Sequence, residues 1–253
     1  MINSKINNPV KINKKNLYIT VVVVLAICLI TSLCKTFIDV EGTFINDIIP
    51  PVVALILSVF AIYIAKKYIK SDFGFTLVNK GPAKLYWLMF VIVWIIYTVF
   101  LAIIINDGSA SQNIFESNIN IGVILQAVMA LILSGIAEEV LFRSFAMTTL
   151  DSAFISESKN EYEFLGKNYK YNYLTSTAVS VSSVLFALFS IKMVLYPIVI
   201  NINIGQILVL LVMGYTYGYT FYVTKNIFNS MIMNCLIKIS PYIAFGFVSL
   251  FLR

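Results

Sequence analysis

Ser134 to Phe145 reads SGIAEEVLFRSF, and its three charges close a run, Ile121 to Ala137, that is almost wholly apolar. The run by itself spells a membrane helix. Charges in such a helix are expensive, about 2.5–3.5 kcal/mol each near the bilayer centre on insertion scales, so an ionisable residue there is a functional hypothesis by default. Spacing orders the three. On a helix Glu139 and Arg143 stand four residues apart and share a face, whereas Glu138 lies about 100° round from its neighbour and is the freer carboxylate. Two adjacent carboxylates in a low dielectric resist ionising together, which suits one of them to moving protons. The plainer alternative is a buried Glu139–Arg143 pair that only fixes helix packing.

The rest of the chain agrees with a membrane setting. Of 253 residues, 60% are hydrophobic and 12% charged, about half the charged share of a soluble domain. The formal charge of +6 is scattered over loops rather than gathered in a patch, so it reads as topology and not as nucleic-acid binding. Cys28, Cys34 and Cys235 lie in or beside apolar runs without metal-type spacing. Histidine is absent, which removes the commonest metal ligand and acid/base side chain from any mechanism.

Seven apolar runs follow in order: Leu17–Cys34, Ile48–Ala65 with Pro50 and Pro51 in its first turn, Leu85–Ile105, Ile121–Leu150, Thr175–Ile191, Ile204–Val223 and Ile227–Leu252. Each is about long enough to cross a bilayer. The first is read as a retained helix rather than a cleaved signal, since no small-residue cleavage site precedes Lys35. Ser71–Lys84 is placed at the interface, and Asp151–Leu174 is a long polar loop. Pro241 should kink the last run and leaves room for an eighth half-span. With the N-terminus inside, Lys35, Lys192 and Arg253 fall outside and Lys238 within a span, while the other basic residues of the 18 are cytoplasmic. The expected fold is an all-α polytopic bundle in the cell membrane, N-terminus cytoplasmic, with helices 1–3 in residues 1–120 and helices 4–7 in residues 121–253.

The order AEEVLFRSF, SSVLFALFS and GYTYGYTFYVTKNIFNSMIMN resembles the CPBP family of intramembrane proteases, which includes CAAX prenyl-protein endoproteases and bacteriocin-processing or immunity proteins. That family carries EExxxR, then FxxxH, then HxxxN or HxxxD on converging membrane helices. Here the first motif is intact as Glu138, Glu139 and Arg143. In the second, Phe186 is followed by Ser190 where histidine is expected; in the third, Asn234 and Lys238 occupy the two positions. Helix rise gives depths from the cytoplasmic ends of roughly 18 Å for Glu138, 24 Å for Ser190, 11 Å for Asn234 and 17 Å for Lys238, so one polar cluster is feasible. A lysine within a span needs a carboxylate or a water path, and Glu138 is the nearest candidate. Gly214 and Gly218 have small-xxx-small spacing for close helix packing.

The resemblance implies peptide hydrolysis in the membrane, either with a divalent metal such as zinc or with water activated by the first glutamate. Glu138, Glu139, Ser190 and Asn234 make a poor zinc set, so no cofactor is expected. The first reading is an endopeptidase with Glu138 as base, Glu139 and Arg143 holding the helix, and Asn234 or Lys238 as oxyanion donor. The second is a non-catalytic relative that binds membrane peptides or partner proteins, as in bacteriocin self-immunity or regulation.

Overall fold

The computed structural model describes residues 11–37, 45–79, 81–106, 121–155, 160–164, 167–171, 173–189, 192–195, 198–201 and 204–251. Its helices are α1 (Lys14–Phe37), α2 (Ile45–Tyr68), α3 (Ala83–Asn106), α4 (Ile121–Glu139), a π-helical segment (Val140–Met147), α5 (Thr148–Ala153), α6 (Tyr173–Phe189), α7 (Ile204–Thr224) and α8 (Ile227–Phe251). Among the described residues, six spans, including the continuous Ile124–Ala153, are long and apolar enough to cross a membrane, and Thr177–Phe189 is a shorter apolar helix. The chain is a multi-pass membrane protein. Large apolar side chains such as Phe60, Ile96 and Val212 lie more than half exposed on the outside of the bundle, as lipid-facing residues must.

The ends of the helices follow local chemistry. Asn226 starts α8: its Oδ1 accepts from the Phe228 amide at 2.9 Å, the bond an N-cap asparagine makes to an otherwise unpartnered helix donor. Lys225 before it has φ 51°, the left-handed conformation that turns α7 back into α8. Helix α2 begins at Ile45 rather than near Ile48, so Pro50 and Pro51 fall in its second turn. Helix α8 runs unbroken past Pro241 to Phe251, so no separate eighth half-span begins at that proline.

Small residues decide which helices meet. A Cβ on Gly214 would lie 2.9 Å from Phe186 Cδ1 and 3.3 Å from Ser183 Cα, and one on Gly218 3.1 Å from Val179 Cγ1. Helices α6 and α7 therefore pack antiparallel with backbones nearly touching, the close approach that glycine spacing permits. Elsewhere, Trp94 of α3 donates its indole N–H to Ser240 of α8 at 2.8 Å.

Among the described residues, three two-stranded antiparallel ladders lie outside the helices. Lys11–Ile12 pairs with Phe154–Ile155, Asn160–Phe164 with Lys167–Tyr171, and Lys192–Leu195 with Ile198–Asn201. The polar stretch after α5 thus contains strands, while the bundle remains all-α in class.

The Ser71–Lys84 stretch does not simply rest at an interface. Phe73 is buried, its carbonyl accepts from Ser144 at 2.7 Å, and the Gly74 carbonyl accepts from the Ile227 amide at 3.0 Å. Asn226 Nδ2 donates to Asn79 Oδ1 at 2.9 Å and to the Leu77 carbonyl at 3.2 Å. This strap stitches the π-helical segment to the start of α8, at the bundle end that also holds Asn13, Asp151 and Lys225.

Candidate functional site

The site begins with Gly135. A Cβ there would lie 2.9 Å from Cys235 Sγ and 3.4 Å from the Cys235 amide nitrogen, so the absent side chain is what lets α8 lie directly on α4. That approach puts Asn234 beside both carboxylates. Its Nδ2 lies 3.1 Å from Glu139 Oε1, 3.2 Å from Glu138 Oε2 and 3.4 Å from the Gly135 carbonyl. The amide protons of Asn234 are thus spent on the acidic pair, and the residue acts as a strut between the two glutamates.

One turn further along α8, Lys238 Nζ lies 2.8 Å from Glu138 Oε1. Helix rise alone separates Glu138 and Asn234 by several ångströms in depth. The π-helical segment accounts for part of that gap, because its wider turns advance less per residue than α-helix and leave Glu138 nearer the strap end. All eight residues of that segment are buried. Such segments occur often at functional sites.

The four charges pair off with different surroundings. Glu139 and Arg143 are fully buried, with Arg143 Nε 3.4 Å from Glu139 Oε2. Arg143 Nη2 also donates to the Gly214 carbonyl at 3.1 Å, and its guanidinium carbon sits 4.7 Å from the Phe186 ring centroid and 5.7 Å from that of Tyr217. Cation–π contact of this kind is stronger where water is excluded. Phe186 therefore serves as a platform beneath Arg143. Glu138 and Lys238, by contrast, keep 13% and 22% of their side chains exposed. Of the two carboxylates, Glu138 is the more exposed.

Ser134, which lies outside the three motifs, joins the cluster. Its Oγ lies 3.2 Å from Glu138 Oε1 and 3.1 Å from Lys238 Nζ. The signal was present as the four-residue spacing from Glu138, which puts both on one face. Ser190 lies outside the described residues.

A divalent metal does not fit this donor set. The Lys238 ammonium already contacts Glu138, Arg143 is paired with Glu139, and among the described residues no group of three or more Cys, Asp or Glu side chains is placed to hold an ion. A zinc site needs about four converging ligands and tolerates no ammonium among them.

The family model described as Rce1-like, type II CAAX prenyl endopeptidase Rce1-like, matches residues 120–240. Comparison with curated proteins and with solved structures gives no match. The matched segment contains Ser134, Glu138, Glu139, Arg143, Asn234 and Lys238.

Proposed function

We propose, from the match of residues 120–240 to the Rce1-like type II CAAX prenyl endopeptidase family model, that this integral membrane protein is an intramembrane endopeptidase acting on peptide segments in or beside the bilayer. The observation that carries the reading is Glu138, partly exposed and held at both oxygens by side chains of other residues. A carboxylate offers about four lone-pair positions. Lys238 and Ser134 address Oε1 and Asn234 addresses Oε2, which leaves room on Oε2 for one more proton donor.

Glu138 then acts as general base on the attacking oxygen and returns the proton to the leaving amine. Lys238 supplies the positive charge for the developing oxyanion, since the protons of Asn234 are already engaged. Preorganised charge of this kind is commonly the largest contribution to such catalysis. Glu139 and Arg143 hold the π-helical segment in place. Residues 121–253 form the functional core in this reading, and residues 1–120 its flanking helices. The basic strap end, with the N-terminus, faces the cytoplasm of a cell membrane.

A second reading rests on the same 2.8 Å contact. A closed Glu138–Lys238 pair suits a relative that binds membrane peptides without cutting them, as in self-immunity. Cleavage of a fluorogenic CAAX-type or transmembrane peptide by protein in detergent separates the two. Glu138→Gln should abolish cleavage while the variant still inserts and elutes as wild type, and chelator should leave the wild-type rate unchanged. Folded wild type that cleaves no better than Glu138→Gln refutes the endopeptidase.

A further inference from the structure

The strap between α2 and α3 has two unlike faces. Its inner face is fixed to the bundle: Phe73 and Gly74 are buried, the Phe73 carbonyl accepts from Ser144, and a Cβ on Gly74 would collide with the Phe221 ring. Its outer face is apolar and open. Leu77 is 79% exposed and Val78 73%, beside Tyr68 at 82% and Phe75 at 44%. The strap joins the neighbouring ends of two spans, Asn46–Tyr68 and Ala83–Ile104, so this face lies where acyl chains give way to headgroups. An exposed apolar patch of that kind marks an interaction surface.

The charges around it are of one sign. Lys66, Lys67 and Lys70 are exposed, and none of them has a carboxylate partner among the described residues, whereas Lys225 at the same end lies 3.9 Å from Asp151. Lys66 Nζ sits 6.0 Å from the Phe73 ring centroid and Lys67 Nζ 5.2 Å from that of Tyr63. Lys66, Ser71, Asp72, Phe73, Phe75 and Thr76 line a hollow of about 290 Å³. Asp72, the carboxylate of that hollow, is engaged in the strap's own turn, its Oδ1 accepting from the Gly74 amide at 2.9 Å. Three ammoniums against one carboxylate leave the hollow positive.

We propose that this hollow holds the phosphate of an anionic phospholipid, with Lys66 at the phosphate, Lys67 and Lys70 around it, and Leu77 and Val78 set among the acyl chains. The apolar face alone would accept any lipid. The unpaired ammoniums select an anionic one, as lysines at the edge of a span do on a negatively charged leaflet. The strap's own carbonyls carry the effect inward, because Phe73 holds Ser144 of the π-helical segment and Gly74 holds the Ile227 amide at the start of α8. Bound lipid therefore braces the two elements that bring Glu138, Asn234 and Lys238 together. The site stands or falls independently of whether Glu138 cleaves peptides.

The test titrates the full chain, delipidated in detergent, with dioleoyl phosphatidylglycerol or dioleoyl phosphatidylcholine and counts lipid adducts by native mass spectrometry. Phosphatidylglycerol should bind roughly tenfold more tightly or better, and should raise the apparent Tm because it binds the folded state. Lys66→Gln and Lys70→Gln should each weaken phosphatidylglycerol about fivefold, and together about 25-fold, with phosphatidylcholine unchanged. Leu77→Ser with Val78→Ser should weaken both lipids alike. Binding of the two lipids within about twofold of each other overturns the headgroup site. So does a double lysine variant that elutes as wild type and still binds phosphatidylglycerol as wild type does. Displacement of phosphatidylglycerol by inorganic phosphate overturns the lipid as the source of the anion.

Discussion

Replacing Arg143 by methionine should be among the most damaging single changes in the bundle. The methionine fills much of the same volume, but it leaves the fully buried Glu139 carboxylate without its cation. It also removes the bond to the Gly214 carbonyl and the stacking on Phe186. Removing one partner of a buried ion pair costs about 3–5 kcal/mol, whereas replacing both by apolar or neutral groups is often close to neutral. At roughly 2–4 °C per kcal/mol for a chain of this size, the apparent Tm should fall by about 6–20 °C. Adding Glu139→Gln should recover most of that fall, because Asn234 and the new amide can still bond while no uncompensated charge remains. Trp87 and Trp94, both bonded to α8, report the transition by intrinsic fluorescence in detergent. A drop under about 3 °C for Arg143→Met, or a double variant losing the sum of the two singles, would show that the pair does not hold the π-helical segment in place.

Two further perturbations probe the packing. Gly214→Ala should lower the apparent Tm more than Gly218→Ala, because its Cβ meets the Ser183 backbone at 3.3 Å as well as Phe186 at 2.9 Å, against a single 3.1 Å contact with a Val179 methyl; equal effects in the same fluorescence assay would contradict the helix contact. Trp94→Phe should cost about 0.5–1.5 kcal/mol by leaving Ser240 without its indole donor, read as a Tm shift smaller than that of Gly214→Ala.

Much of this architecture was legible from periodicity and charge, and for physical reasons. A span must satisfy its backbone internally, so apolar runs of bilayer length can only be helices, and the long ones appear as such. The nearness of Lys238 to Glu138 was likewise readable, since a buried ammonium has few places to go. The π-helical segment was not, because π and α turns draw on the same side chains and differ only in hydrogen-bond register. Nor was the strap at Phe73 to Asn79, whose bonds to Ser144, Asn226 and Ile227 join residues some 70 to 150 positions apart and leave no periodic trace. The four-residue spacing of Ser134 from Glu138 does not by itself mark a contact, because a serine in a membrane helix ordinarily bonds its own backbone. Only the positions of α4 and α8 show that this one points elsewhere. The sequence expectation for Ser190 falls on a residue outside the described set.

The two ion pairs also differ in when they come into being. Glu139 and Arg143 are four residues apart, so they can join as soon as α4 emerges from the ribosome. Glu138 must wait a further 100 residues for Lys238 and 96 for Asn234. During synthesis it enters the bilayer as a solitary acid on a helix whose partner has not yet been made. A chain cut short before α8 would keep that carboxylate without its ammonium, so the charge on α4 is compensated only once the last helix has been added.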